Sequence, residues 1–332
     1  MPSGKASRGD RGLVVMAHGA PSERTDIEAY FTHIRRGQRP SDAELADLQA
    51  RYDAIGGASP LPMRTHEQGA AIQQTLHGAD PGRWRIQLGY KHASPFIENA
   101  VAALAADGVE LVVGLVLAPH GSRATVGGYH TRAAAACDTA GVPYVAIEAW
   151  YDEPEWLDAM AQRLRAAREG MPDTTKVLFT AHSLPERMLD GDPYPDQLWE
   201  SARAIATSAD LDPWYGWSLA WQSAGRTPEP WRGPDITKAI RDLGATGRAA
   251  GVLVCPQGFT ADNLEILYDL DIAAARAASD VGLAFRRTAL LNADPVVMAA
   301  LAQRVMQTAA GFAMASAPGT PQAGSTRGSV GP

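Results

Sequence analysis

The chain has 332 residues, 45% of them hydrophobic, and a formal net charge of −7. That is enough apolar material for a large core and for two domains of ordinary size. The acidic balance excludes a general attraction to nucleic acid or anionic lipid, so an anionic ligand must meet local basic clusters.

In chain order, residues 1–12 are polar and basic and lack the apolar core of a signal peptide. Short apolar runs then alternate with amphipathic ones. Strands are expected at Leu13–Ala17, Arg85–Gly89, Leu111–Leu117, Tyr144–Ile147, Val177–Ala181, Trp217–Trp221, Gly251–Cys255 and Gly282–Phe285. Helices are expected at Ile27–Arg35, Ala43–Ile55, Met63–Leu76, Pro95–Ala106 and Val126–Ala140. Further helices are expected at Trp156–Arg168, Asp196–Ser208, Ile236–Leu243, Ala261–Ala278 and Pro295–Thr308. Runs rich in Val, Leu and Ile, separated by helices, predict parallel strands covered on both faces, hence a doubly wound α/β fold. The strand–helix rhythm restarts after Tyr151–Glu155. This predicts two lobes, 11–150 and 151–312, with the last helix able to pack back on the first. Residues 313–332, rich in Ala, Gly, Ser, Thr and Pro, read as a disordered tail. No window approaches a membrane span.

Two cysteines, Cys137 and Cys255, exclude a disulfide framework and fit a reducing cytoplasm. The expectation is a chain without an iron–sulfur cluster.

Ligands in such sheets collect outside the carboxyl ends of the strands. Polar residues gather there: His18, Lys91, His92, His120, His182, Gln222 and Ser223. His182 follows an apolar strand and precedes a Pro-bearing turn. Imidazole suits metal ligation and proton transfer near neutral pH, but a core histidine bonded to backbone fits the same pattern. Glu265 and Asp269 are four apart and share a helix face. They read either as a path for cations and protons or as a solvated acidic face, though Leu264, Ile266, Leu267 and Leu270 oppose full solvation. Asp262 can cap that helix. Arg35, Arg36 and Arg51 suit carboxylates through bidentate guanidinium contacts, or simply close a basic helix end.

The ordered segments LVVMAHGAP, YFTHIRRGQRP, RYDAIGGASPL, GYKHASPFIENAV and VLAPHGS carry a resemblance in the first half. In the second half WYDEPEW, TAHSLPERM, GDPYPDQLWESA, WQSAGRTPEPWRGPDI and CPQGFTADNLEILYDLDI continue it. Together, from about Gly12 to Arg304, the chain resembles the ferrochelatase family, and most closely its coproporphyrin III branch in Gram-positive bacteria. The resemblance implies two Rossmann-like lobes around a porphyrin cleft and a lyase that inserts Fe2+ into coproporphyrin III in haem biosynthesis. It implies that His182 and Glu265 handle the metal and the pyrrole protons, with Asp269 behind them. It places His18, Arg35, Arg36, Arg51, Ser59, Tyr129, Lys91 and Trp231 around the porphyrin. Iron and porphyrin are then substrates, and no permanently bound cofactor is expected. A soluble, cytoplasmic monomer is expected, with no nucleic-acid partner, no stable membrane anchor and transient contact with the next haem-pathway enzyme. Rival readings are a protoporphyrin IX ferrochelatase, a cobalt or nickel tetrapyrrole chelatase, and a haem carrier.

Two departures stand out. Position 18 is commonly tyrosine in that branch, so His18 is expected to serve as an axial ligand opposite His182. Position 273 is often acidic there, whereas Ala273 ends the ridge at Asp269 and predicts weak binding of an outer Mg2+.

Overall fold

A computed structural model describes residues 10–225 and 227–315. Two four-stranded parallel sheets form its frame. In the first, the order is β2-β1-β3-β4, with β1 Arg11–Ala17, β2 Trp84–Tyr90, β3 Leu111–Val116 and β4 Tyr144–Ile147. In the second, the order is β6-β5-β7-β8, with β5 Thr175–His182, β6 Trp217–Gln222, β7 Gly251–Cys255 and β8 Ala284–Arg287. Each sheet begins at its centre and places its second strand on one side and its third on the other. That leaves a crevice at the carboxyl ends of the two central strands.

The central strands are buried on both faces, which is why they read as continuous apolar runs. Leu13–Ala17 of β1, all of β3 and all of β7 are buried. The helices cover these faces: α1 Ile27–Ile34, α2 Asp42–Ala54, α3 Leu61–Ala79, α4 Ile97–Ala106, α5 Val126–Ala140 and α6 Pro154–Arg168. The rest are α7 Tyr194–Ser208, α8 Ile236–Thr246, α9 Ala275–Asp280 and α10 Pro295–Ala315. Ser41 starts α2 with a capping box, its hydroxyl accepting from Glu44 N–H while Glu44 receives the Ser41 N–H. One core runs through both sheets, joining Leu13 and Val113 to Val177, Phe179 and Leu253 through Trp150 and Trp156. The last helix, α10, lies against α3 and contributes Val297, Leu301 and Val305 to this shared core.

The structure departs from the sequence reading mainly after β7. The helix expected at Ala261–Ala278 is a turn, then a π-helix over Glu265–Ala274, then the short α9. Asp262 does not cap it. The Asn263 side chain accepts from Ile266 N–H, while Asp262 is held by Asn292 and Arg287. The last strand is shifted to Ala284–Arg287. The expected tail from 313 begins inside α10, whose described end is Ala315; the remainder lies outside the described residues. Among the described residues no helix is long and apolar enough to cross a membrane.

Candidate active site

The carboxyl ends of β1, β3 and β5 open into a cavity of about 470 Å³ between the sheets. Backbone close approaches shape its floor. Gly19, at φ +85°, lies so near Ala93 that an added Cβ would sit 2.8 Å from the Ala93 Cβ. Gly258 presses on β5, where an added Cβ would fall 2.6 Å from that of Ala181. A side chain at either place would push the strand ends apart.

His182 is the last residue of β5, in register with Gln222 of β6. Its Nδ1 lies 2.5 Å from the Ser183 carbonyl and its Nε2 is 3.5 Å from Glu265 Oε1. The π-helix brings Glu265 here. The buried Gln222 accepts from Thr180 of β5 at 2.9 Å and donates to the Glu265 carbonyl at 3.3 Å. The first turn of the π-helix is thereby tied to the strand that carries His182. Bonds that reach five residues back give more than four residues per turn. Asp269 therefore lies a little under one turn on from Glu265, on the same side of the helix and within reach of its charge.

Electrostatics distinguish the three groups. Burial pushes the His182 imidazolium down, but Glu265, the Ser183 carbonyl and Asp269 outweigh it and hold His182 up to about 9. Burial pushes Glu265 up; the His182 charge, with His18 and Ser223, overcomes this and holds its carboxyl below the usual range. Asp269 goes the other way, raised to about 6 by burial and by Glu265, although Ser223 and Arg51 oppose the shift. The Ser223 hydroxyl donates to Asp269 Oδ2 at 2.6 Å. Both members of the His182–Glu265 pair lie deep between the lobes, yet 38% and 39% of their side-chain surface faces the open cavity. Water therefore screens the pair, and its stabilising effect is modest. At neutral pH it stands as imidazolium and carboxylate, so a metal must displace a proton to reach Nε2.

The opposite wall carries histidines. Burial keeps His18 below its ordinary value, against the opposing pull of Glu265. Its Nδ1 lies 3.2 Å from the Gly19 carbonyl and 3.1 Å from the Tyr30 hydroxyl. The His92 ring is 4.7 Å from that of His18, and His92 in turn meets His33, Nδ1 to Nδ1, at 3.0 Å.

Ser59, Lys91 and Tyr129 also line the cavity. The Lys91 ammonium lies 4.6 Å over the Tyr129 ring and 3.3 Å from the Thr125 carbonyl. Arg35 and Arg51 do not line the cavity themselves; they adjoin Phe31 and Ile34, and Leu48 and Tyr52, which do. Arg35 pairs with Glu44 at 2.7 Å; Arg51 pairs with Asp47 at 3.1 Å and with Asp269 at 3.7 Å. Arg36 is exposed, with φ +58°, and does not line the cavity. Trp231 does not either: it bonds Thr227 at 2.9 Å and packs over Gly225. Tyr30, Tyr52 and Tyr194 line the cavity unforeseen, their phenols pushed well up by burial. Nothing in strand or helix periodicity distinguishes a tyrosine facing a cleft from one facing a core.

Among the described residues no three of His, Cys, Asp or Glu converge where they could hold a metal ion. Cys137 and Cys255 are buried, the first among the residues around α4 and α5 and the second in the shared core.

The ferrochelatase family profile matches residues 10–309. The coproporphyrin III ferrochelatase of Geobacillus kaustophilus (strain HTA426) is 42% identical over 303 residues, covering 89% of this chain and 95% of that protein. The coproporphyrin III ferrochelatase of Bacillus subtilis (strain 168) is 41% identical over 308 residues, covering 91% and 98%. Among solved structures, SirB from Bacillus subtilis with Fe3+ superposes with a TM-score of 0.55 at 13% identity, over 92% of this chain and 98% of that one. That likeness concerns the fold alone. With the family match spanning both sheets and the strand ends that build the cavity, the chain belongs to the ferrochelatase family.

Proposed function

We propose that the protein inserts Fe2+ into coproporphyrin III, releasing two pyrrole protons and leaving Fe-coproporphyrin III. The observation that carries this reading is the His182–Glu265 pair, 3.5 Å apart, at one wall of a cavity faced from the other wall by His18. A two-residue donor set suits a metal in transit, because the pyrrole nitrogens supply the remaining donors. His182 gives up its proton to Glu265 or solvent as it takes the metal. Asp269, raised to about 6, accepts a proton near neutral pH and passes it outward. Lys91, Arg35 and Arg51 meet the propionates, with Ser59 and Tyr129 as hydroxyl partners. The tetra-acid substrate is favoured by these basic groups at the mouth and by the coproporphyrin III relatives.

Nδ1 of His18 faces the Gly19 carbonyl, which puts its proton there and leaves the Nε2 lone pair for iron. His18 thus acts as the axial ligand in the product. Ala273 leaves the ridge without a third carboxylate, so an outer Mg2+ binds weakly. The lobes divide near residues 150–151. The enzyme works as a cytoplasmic monomer without a permanent cofactor and hands its product to the next haem-pathway enzyme. The test is anaerobic Fe2+ insertion followed by absorbance, with coproporphyrin III and protoporphyrin IX in parallel. Faster metallation of coproporphyrin III is expected. A strong preference for protoporphyrin IX would overturn the substrate, and porphyrin binding without any metallation would make the protein a carrier.

A further inference from the structure

Both oxygens of Asp269 are engaged, and by different lobes. Oδ2 receives the Ser223 hydroxyl at 2.6 Å, from the turn after β6. Oδ1 faces Arg51 NH1 at 3.7 Å, from α2 across the mouth. The Arg51 guanidinium also lies over the ring of Tyr268, 5.0 Å from its centroid, and its Nε is bound by Asp47 at 3.1 Å. It is therefore held beside the acidic ridge rather than turned outward. The contact to Asp269 is nevertheless long: a charge-assisted bond closes to about 2.7–2.9 Å when nothing competes. Arg51 sits between Leu48 and Tyr52, two residues of its own helix that line the cavity, so a carboxylate on a bound macrocycle comes within its reach.

We propose that Arg51 is a substrate-operated guard of the acidic ridge. Its guanidinium occupies Asp269 Oδ1 until a porphyrin carboxylate draws it away, and the metal cation engages the ridge once the porphyrin is seated. This rests on the reading of the substrate as a polycarboxylate porphyrin. The physical argument is charge balance. A divalent cation approaching Asp269 meets the positive charge of Arg51 a few ångströms off, and the carboxylate it seeks is already shared. A propionate that forks onto Arg51 neutralises that charge and forms two short bonds in place of one long one. The coupling is reciprocal, so bound metal tightens the porphyrin by the same factor. Metal is thus kept off the ridge until there is a ring to receive it. Arg51 here is a positioning residue, acting on the metal through Asp269.

The test reads Mn2+ binding from the loss of its free electron paramagnetic resonance signal, with Fe(III)-coproporphyrin as occupant because its centre is already filled. Wild type should bind Mn2+ about tenfold more tightly with the occupant than without it, the scale expected for removing one charge beside a partly wet site. Arg51→Met alone should bind Mn2+ as tightly as the occupied wild type, with no further gain when the occupant is added. Adding Asp269→Asn should return it to weak binding, which a merely structural role for Arg51 would not do. An Arg51→Met protein that binds Mn2+ no better than wild type overturns the proposal. Should that variant misfold, Arg51→Gln carries the same comparison. Failure of the substrate reading shows separately, as wild type that does not bind coproporphyrin in an absorbance titration, and leaves the occupant-free comparison intact.

Discussion

Replacing Ser201 with alanine removes one oxygen from a buried chain of polar groups that crosses between the lobes. The Ser201 hydroxyl, on α7, lies 2.8 Å from Nε2 of His120, which follows β3, and its one proton has two close acceptors, Gln257 Oε1 just after β7 at 3.0 Å and the Gln197 carbonyl of its own helix at 2.9 Å. Ser201, His120 and Gln257 are each at most 2% exposed. Burial pushes His120 down to about 3, so it is neutral at pH 7; because the Ser201 proton goes to a carbonyl oxygen, the Nε2–H of His120 is the donor to Ser201. The variant leaves that N–H without a partner and removes the hydroxyl donor within reach of the Gln257 carbonyl. A buried group left unpaired costs about 1–3 kcal/mol, so about 2–4 kcal/mol is expected for two that share a site. For a chain of this size that lowers Tm by roughly 3–6 °C. Differential scanning calorimetry at pH 7 is the assay, and a change below about 1 °C would refute the claim that this hydroxyl satisfies both groups. The same histidine predicts a pH dependence. Its folded pKa lies below its unfolded one, so between about 6.5 and about 3 the unfolded chain binds the extra proton. Stability is then fully present above pH 6.5 and lost as pH falls towards 3. His120→Gln should flatten that slope by about one proton; an unchanged slope would mean that His120 is protonated in the fold.

His182→Ala should abolish metallation while sparing coproporphyrin affinity to within about threefold, because the ring is held by the other walls. Loss of both together, read by absorbance titration and turnover, would argue that His182 supports the pocket rather than the metal. His18→Ala should shift the absorption bands of the Fe-coproporphyrin complex by removing an imidazole from iron. An unchanged iron spectrum would sink the ligand role of His18.

Much of the frame was legible in the chain itself. Parallel strands covered on both sides must be apolar throughout, so β1, β3 and β7 announced themselves, and a polar residue where such a run stops had to lie at a sheet end. His18 and His182 were located that way. Glu265 and Asp269 were paired on a helix face, but the π-helix that carries them was not legible: a shift of the backbone bonds from four residues to five leaves no mark in an apolar period. Asp262 was read as able to cap that helix from its carboxylate alone, but Arg287 and Asn292 hold it elsewhere and the Asn263 side chain meets the Ile266 N–H instead.

Local sequence thus determined which segments become strands, where they end and which chemical groups stand at those ends, since burial on two faces and turn chemistry are short-range demands. The tertiary structure alone decided what those groups meet. The packing of the π-helix against the ends of β5 and β6 set Glu265 beside His182, while the approach of the two sheets turned Tyr30, Tyr52 and Tyr194 toward a cavity rather than a core and carried Arg51 to Asp269. Such contacts join residues far apart in the chain, and their distances depend on how a shared core packs, which no window of the chain contains.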